Sequence, residues 1–164
     1  MITQEQIDRI NVLARKSKAE GLTVPVGIQP QYNLLHRKAY EQGYGPIAQE
    51  YEVAVFPFFA LASGVLTGKY RSKADIEGKA RQGFAEDLIT DDALKVVDAV
   101  VEIADAHGVE PATVSLAWLL AKGVTAPVAS ASNPAQLPAL MAAADLELSA
   151  DEVQQLDTAS QPFA

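Results

Sequence analysis

The chain has 164 residues, of which 49% are hydrophobic, so a single domain spanning residues 1–164 is expected. Its formal net charge of -8 argues against a nucleic-acid partner and against binding to an anionic membrane. Because cysteine is absent and the two histidines fit no metal-ligand pattern, no metal site is predicted. The first residues lack the apolar core of a signal peptide, and no stretch is apolar enough to span a membrane, so a cytoplasmic location is expected.

The chain opens with a helix signal followed by a short strand signal. Thr3 and Gln6 have capping-box spacing, and apolar residues then recur at helical intervals, which predicts a helix over residues 4–19. Gly21 is suited to ending this helix. The β-branched residues that follow predict a strand over residues 24–28.

The next part of the chain is less regular until a long apolar run. Residues 33–38 are predicted as a loop, and residues 40–51 as a weak helix interrupted by glycine and proline. Residues 53–59 are apolar throughout, a pattern typical of a parallel strand buried on both faces. Residues 71–89 are polar and aperiodic, which indicates a long loop, either a functional lid or a disordered surface insertion.

The second half carries clear helix boundaries. Thr90 is positioned to cap a helix over residues 91–107, and Gly108 to end it. Pro111 begins the next helix, which is nearly apolar all round and therefore expected to be buried, with Gly123 ending it. The tryptophan of this helix is accordingly assigned to the core.

Three further elements complete the prediction. Residues 124–129 are predicted as a third strand, followed by a helix that Asn133 caps and that runs to residue 144, with a kink at Pro138. A Ser149–Glu152 capping box predicts a short final helix. Strands that alternate with helices indicate an α/β fold with three parallel strands.

Small residues follow the apolar run of residues 53–59. Ser63, Gly64 and Gly68 precede Lys69, a combination that can approach an anion closely and supply a positive charge, although a plain tight turn is an equal alternative. The spacing excludes a P-loop, and Ser63 lacks the flanking glycines of a nucleophile elbow.

Three stretches together resemble a known family. They are IQPQYNLLHR at residues 28–37, LASGVLTGKY at residues 61–70 and SLAWLLAKGVTAPVASASNPAQL at residues 115–137. They occur in the order found in aldo-keto reductases, which are NADP(H)-dependent (β/α)8-barrel enzymes. Since a closed barrel takes about 250 residues, the resemblance implies a partial TIM barrel, the C-terminal portion, with the family's earlier strands outside this sequence.

The resemblance also implies a cofactor site. In the family, the position of Gln29 holds the nicotinamide carboxamide, although this side chain could instead cap the backbone, and the position of Phe58 stacks on the nicotinamide. The loop after residue 59 contacts the pyrophosphate, and the segment after residue 129 contacts the 2′-phosphate. The implied cofactor-binding residues are Gln29, Phe58, Leu61, Ser63, Gly64, Gly68, Lys69, Ser130, Ser132, Asn133 and Gln136.

Departures from the family pattern predict weak NADP(H) binding, or binding only in a completed barrel. Phe58 lacks the usual tyrosine hydroxyl, and no lysine or arginine follows Lys122 to meet a 2′-phosphate. Ala139 and Leu140 stand where the family places the glutamate and asparagine that hold the adenine.

The family's catalytic tyrosine, lysine, aspartate and histidine have no matching positions here, so no catalytic residue is assigned. Tyr32 is the first candidate for a substitute acid. The chain is therefore expected to be one part of a split or reassociated reductase, inactive alone; the alternative is a non-catalytic cofactor half-site or structural module. Because three parallel strands leave two unpaired edges, a complementary chain or a second copy is the expected partner.

Overall fold

The fold was analysed in a computed structural model that describes residues 4–23, 25–78 and 82–164. The α-helices in this part of the chain are α1 (Gln4–Ala19), α2 (Gly45–Glu50), α3 (Gln82–Ala85), α4 (Asp91–His107), α5 (Pro111–Ala121), α6 (Leu137–Met141) and α7 (Ala150–Ala159). The strands are β1 (Gly27–Ile28) and β2 (Ala54–Val55). A π-helix spans Tyr40–Tyr44, and short 3-10 turns span Ala62–Thr67, Lys73–Ile76, Glu86–Leu88, Pro134–Gln136, Ala142–Ala144 and Gln161–Phe163.

The first two predicted strands form and pair in parallel. β1 and β2 align Gly27 with Ala54 and Ile28 with Val55. The ladder consists of bonds from Ala54 N to Val26 O (3.0 Å), Phe56 N to Ile28 O (2.9 Å) and Phe58 N to Pro30 O (3.0 Å). The regular strands are shorter than predicted, and Val24 lies outside the described residues.

The predicted third strand, residues 124–129, does not form as a strand. The segment runs beside β2 in the same direction, with Thr125 N donating to Val55 O (2.9 Å) and Val128 N donating to Pro57 O (2.8 Å). The return bonds are missing because Pro57 has no N–H and Val55 N donates instead to Thr125 Oγ1 (2.9 Å). The prediction of three strands is therefore wrong, although residues 124–129 lie beside β2, where a third strand would pair.

The prediction that residues 53–59 are buried on both faces is also wrong. Val55 and Pro57 are buried, whereas Phe56 between them is only partly covered and Phe58 is 44% exposed. This alternation has the period of two expected of a strand that is covered on one face.

Helices α4, α5 and α7 pack together around the core. Both α4 boundaries are as predicted: Thr90 Oγ1 accepts from Ala93 N (3.2 Å), and Gly108 ends the helix with φ +64°. In α5 every residue from 112 to 119 is buried, and the fully buried Trp118 confirms the prediction of core packing. No helix in the described part of the chain is long and apolar enough to cross a membrane.

The terminal helices also follow their local signals. α1 has the predicted bounds, while its proposed capping residue, Thr3, lies outside the described residues. The Ser149–Glu152 capping box of α7 is confirmed in both directions. The weak helix predicted over residues 40–51 forms as the π-helix and α2 in succession.

Two segments differ from their predictions. The helix expected from Asn133 to residue 144 is divided into a 3-10 turn, α6 and a second 3-10 turn, because Pro138 lacks the N–H needed for continuous α-helical bonding. The loop predicted over residues 71–89 contains short helical turns in its described parts, and it places Ile76, Ala85 and Ile89 in the core. Those parts are therefore anchored by burial and are not a disordered insertion.

Candidate functional site

A pocket of about 730 Å³ opens between the loop after β2 and the segment after residue 129. It is lined by Leu61, Gly64, Thr67, Lys69, Tyr70, Glu110, Ala112, Ser130, Ser132, Ala135, Gln136, Pro138, Ala139 and Leu140. The two segments that the sequence indicates for anion binding therefore share one cavity. Six of the predicted cofactor-binding residues line this cavity: Leu61, Gly64, Lys69, Ser130, Ser132 and Gln136.

Lys69 lies across Gly64 at one side of the pocket. A Cβ atom placed on Gly64 would be 3.0 Å from Lys69 Nζ, and the glycine has φ +92°, so a larger residue would be opposed by both space and backbone conformation. The Lys69 ammonium stands 4.8 Å from the centroid of the Tyr70 ring. A positive charge next to bare backbone is chemically suited to hold a phosphate oxygen.

The loop that leads to Gly64 has an unusual backbone. Phe59, Ala62 and Ser63 have φ values of +63°, +47° and +55°, a region that L-residues seldom adopt. Each such residue typically costs about 1–3 kcal/mol and tends to occur where a site requires it. The Asn33 amide donates to Phe59 O (2.9 Å) and holds this loop, a role for which the sequence offered no signal.

The other side of the pocket is internally hydrogen bonded. Gln136 Oε1 accepts from Ser132 N (2.8 Å) and from Ser132 Oγ (3.1 Å). Only a three-residue turn and the five-residue α6 follow, so the long helix N-terminus expected to favour an anion here does not exist. Asn133 does occupy the predicted N-cap position, and its carbonyl accepts from Gln136 N (3.2 Å), but its side chain makes no capping bond.

Gln29 and Phe58 lie away from this pocket, at the carboxyl ends of neighbouring strands. Gln29 is exposed directly after β1, and Phe58 forms an isolated parallel bridge with Gln31. The carboxyl edge of parallel strands is where ligand sites of α/β proteins lie. Both side chains are thus accessible at that edge, as a nicotinamide-contacting pair would need to be.

Three other predicted residues do not line the pocket. Ser63 is a buried residue of the loop itself, and Asn133 is exposed outside the cavity. A Cβ on Gly68 would lie 3.1 Å from Val101 Cγ2, so this glycine lets α4 approach the loop and is explained by packing.

Tyr32 is placed unfavourably for a catalytic acid. It is fully buried, and its hydroxyl donates to Glu41 Oε1 (2.8 Å), which Arg37 also binds. Burial, and then the hydrogen bond to Glu41, raise the pKa of the Tyr32 phenol well above its usual range. Tyr32 is not among the lining residues, so its assignment as a substitute acid is not supported.

Glu110 is the main pocket residue that the sequence analysis missed. Among the described lining residues the charged side chains are Lys69 and Glu110. Glu110 precedes the proline that begins α5, but no sequence signal links it to the loop after β2. Thr67 could have been found from its position between Gly64 and Gly68; its hydroxyl donates to Gly64 O (2.7 Å). The described residues contain no group of three potential metal ligands.

Comparison with known proteins identifies a family. The sequence model of the aldo/keto reductase family matches residues 2–161. An L-glyceraldehyde 3-phosphate reductase of Escherichia coli (strain K12) is 33% identical over 137 residues, which cover 79% of this chain and 40% of that protein. A "Probable voltage-gated potassium channel subunit beta" of Oryza sativa subsp. japonica is 32% identical over 132 residues, covering 76% of this chain and 40% of that protein.

A third relative has the same partial coverage. Protein tas of Escherichia coli (strain K12) is 30% identical over 141 residues, which cover 84% of this chain and 40% of that protein. The chain thus matches about two fifths of the length of these curated relatives, with 40% covered in each case.

Proposed function

The chain belongs to the aldo/keto reductase family, and on this premise we propose that it supplies the cofactor-binding part of a cytoplasmic carbonyl/alcohol oxidoreductase. The family generally uses NADP(H), and the proposed ligand is a nicotinamide dinucleotide. One observation carries the proposal: the loop with Gly64 and Lys69 and the segment with Ser130 and Ser132 line a single cavity of about 730 Å³. That volume is typical of a site for a small-molecule ligand or cofactor.

The residues fit the dinucleotide unevenly. Lys69 and the backbone at Gly64 suit the pyrophosphate, since the glycine leaves the space that a Cβ would fill next to Lys69 Nζ. Gln29 and Phe58 at the strand ends would contact the nicotinamide. The segment after residue 129 offers neutral polar groups only. When bound, the reduced cofactor would supply a hydride; the protein would orient it.

No residue in the described part of the chain is assigned as the proton donor for carbonyl reduction. Tyr32, the nearest tyrosine to the end of β1, is buried and bonded to Glu41. We therefore propose that the chain binds cofactor but turns over carbonyls only together with a complementary chain that contributes the acid.

Isothermal titration calorimetry tests the binding proposal. Wild type should bind NADPH, and Lys69→Ala should bind it about 10- to 100-fold more weakly, the usual effect of removing one charge-assisted bond. Lys38→Ala, which removes an exposed lysine outside the pocket, is the matched control and should bind like wild type. Equal, measurable affinity of wild type and Lys69→Ala would contradict the role of Lys69.

A second candidate function is an interaction module. Apolar side chains are exposed on the three adjacent extended segments: Val26 (82%), Phe58 (44%) and Val128 (44%). Within the described residues β1 pairs only with β2, which leaves its other edge free. We propose that this edge docks a complementary chain or a second copy.

Light scattering tests the interaction proposal. At tens of micromolar, a range suited to micromolar association, the wild-type chain should have a measured mass above that of the monomer. The double variant Val26→Lys/Phe58→Lys should have a lower measured mass than wild type. Leu13→Lys, which changes an exposed apolar residue of α1, is the control and should associate like wild type. A stable wild-type monomer would rule out self-association. If no complementary chain bound either, the proposal of an interaction module would be ruled out as well.

A further inference from the structure

The pocket end formed by residues 130–140 contains no cation. The residues that line it there are Ser130, Ser132, Ala135, Gln136, Pro138, Ala139 and Leu140. The sequence has no lysine or arginine between Gly123 and Ala164. A 2′-phosphate carries close to two negative charges and is usually bound by arginine or lysine.

The hydrogen-bond donors of Ser132, at this end of the pocket, are already used. Ser132 directs both its N–H and its hydroxyl at Gln136 Oε1, at 2.8 and 3.1 Å. A phosphate bound by Ser132 would have to break both bonds, and the Gln136 carboxamide oxygen would then face the negative phosphate. The short α6 adds no long helix whose N-terminus could compensate.

The charges of the rest of the pocket do not compensate. Lys69 stands over the Tyr70 ring and next to Gly64, at the side of the loop after β2. Glu110 adds a carboxylate to the same cavity. The two charged lining residues therefore balance one another. A further phosphate would therefore add negative charge that the lining of this pocket does not offset.

We propose that this pocket takes a dinucleotide without a 2′-phosphate, NAD(H), in preference to NADP(H). The inference rests on the proposed function and sets its cofactor class. A ribose 2′-hydroxyl needs only a neutral partner, which Ser130 or the Gln136 amide can provide. The apolar surface of Pro138, Ala139 and Leu140 can cover an adenosine without contributing charge.

The test compares probes that differ only in the phosphate. Calorimetry on the wild-type chain would measure NADH against NADPH, and AMP against adenosine 2′,5′-bisphosphate; within each pair the 2′-phosphate is the difference. NADH should bind about tenfold or more tightly than NADPH, since one unmatched phosphate loses at least one charge-assisted bond. AMP should likewise bind more tightly than the bisphosphate, and this comparison does not depend on the nicotinamide end.

Two substitutions should then shift the preference. Gln136→Arg introduces a cation and frees the Ser132 donors, and Glu110→Gln removes the opposing charge; each should improve NADPH binding relative to NADH. Glu147→Gln, which neutralises an exposed acid outside the pocket, is the charge-matched control and should leave the ratio unchanged. Circular dichroism would confirm that each variant is folded.

The outcomes separate this inference from the function on which it rests. Wild type that binds NADPH as tightly as NADH, or more tightly, overturns the preference and leaves dinucleotide binding intact. Wild type that binds none of the four probes overturns the proposed cofactor site itself, and the preference with it. A wild-type preference for NADH that shifts in both pocket variants, but not in Glu147→Gln, supports the inference.

Discussion

The side-chain amide of Asn33 donates to the main-chain oxygen of Phe59 at 2.9 Å, which joins the loop after β1 to the loop after β2. The other end of the same amide, Oδ1, accepts from Leu35 N at 2.8 Å. Asn33 is almost fully buried, and Phe59 has a positive φ. One buried side chain thus holds the start of the strained loop that carries Gly64 to the pocket.

Replacing Asn33 should destabilise the fold. Asn33→Asp keeps the acceptor for Leu35 N but turns an oxygen towards Phe59 O, so the free energy of unfolding should fall by about 1–3 kcal/mol or more. Urea denaturation measures this change. The control Asn133→Ala removes an exposed asparagine that makes no capping bond and should stay within about 0.5 kcal/mol of wild type. An unchanged midpoint for Asn33→Asp would show that the bond to Phe59 contributes nothing.

Arg37 is the centre of a buried polar network. Its guanidinium binds Glu41 in two places (2.9 and 3.1 Å), and Nη1 also donates to Asp157 O and to Ser160 Oγ, both at 2.8 Å. The same Asp157 accepts from Trp118 Nε1 at 3.0 Å. The network ties the segment after β1 to the C-terminal end of α7.

Arg37→Met should therefore be among the most damaging single changes. It leaves the partly buried Glu41 carboxylate without its cationic partner, and such losses typically cost about 3–5 kcal/mol. Arg15→Met is the matched control, because Arg15 is exposed and its pairing with Glu50 should contribute about 0–1 kcal/mol. Thermal or urea unfolding of the two variants gives the comparison. Similar small losses in both would mean that the network is not a main source of stability.

The capping box of α7 should make stability depend on pH in the acid range. Glu152 Oε2 accepts from Ser149 N (2.7 Å) and Ser149 Oγ (2.8 Å), and Oε1 lies 2.6 Å from His107 Nε2. The Ser149 N–H first, then its hydroxyl and His107, lower the pKa of Glu152. This contribution is present above the unfolded-state pKa of about 4.3 and is lost as pH falls through the folded-state pKa.

Glu152→Gln should flatten that acid dependence. Urea midpoints measured from neutral pH down to the acid range should fall less steeply for Glu152→Gln than for wild type. Glu147→Gln removes an exposed carboxylate outside the capping box and should retain the wild-type slope. If both variants kept that slope, the acid sensitivity would have to come from other groups.

The chain alone should not reduce carbonyls at an ordinary enzymatic rate. Loss of general acid catalysis removes about 10²–10⁴ in rate, so turnover should stay well below about 1 per second. An aldehyde panel with NADH and with NADPH, followed by the absorbance of the reduced cofactor, measures this. Turnover at ordinary rates that Tyr32→Phe abolishes would show that the buried phenol acts as the acid after all.

Most of the helices could be predicted because their signals are local. α1, α4 and α5 begin and end within a residue or two of the predicted positions, and α7 begins where predicted, since periodicity and caps such as Thr90 and Ser149 act within one helical turn. The family resemblance, confirmed by the match over residues 2–161, was also contained in the sequence itself. So was the small-residue loop around Gly64 and Lys69.

Tertiary structure decided what depends on distant residues. Whether residues 124–129 form a strand depends on Pro57 and on the Thr125 side chain meeting Val55 N, which propensity alone does not reveal. The burial of Ile76 and the hydrogen bonding of Tyr32 likewise depend on packing. Above all, the chain had to fold to bring Glu110 and Gln136 into one cavity with Lys69, because the charge balance of a pocket is set by contacts in space and not by sequence neighbours.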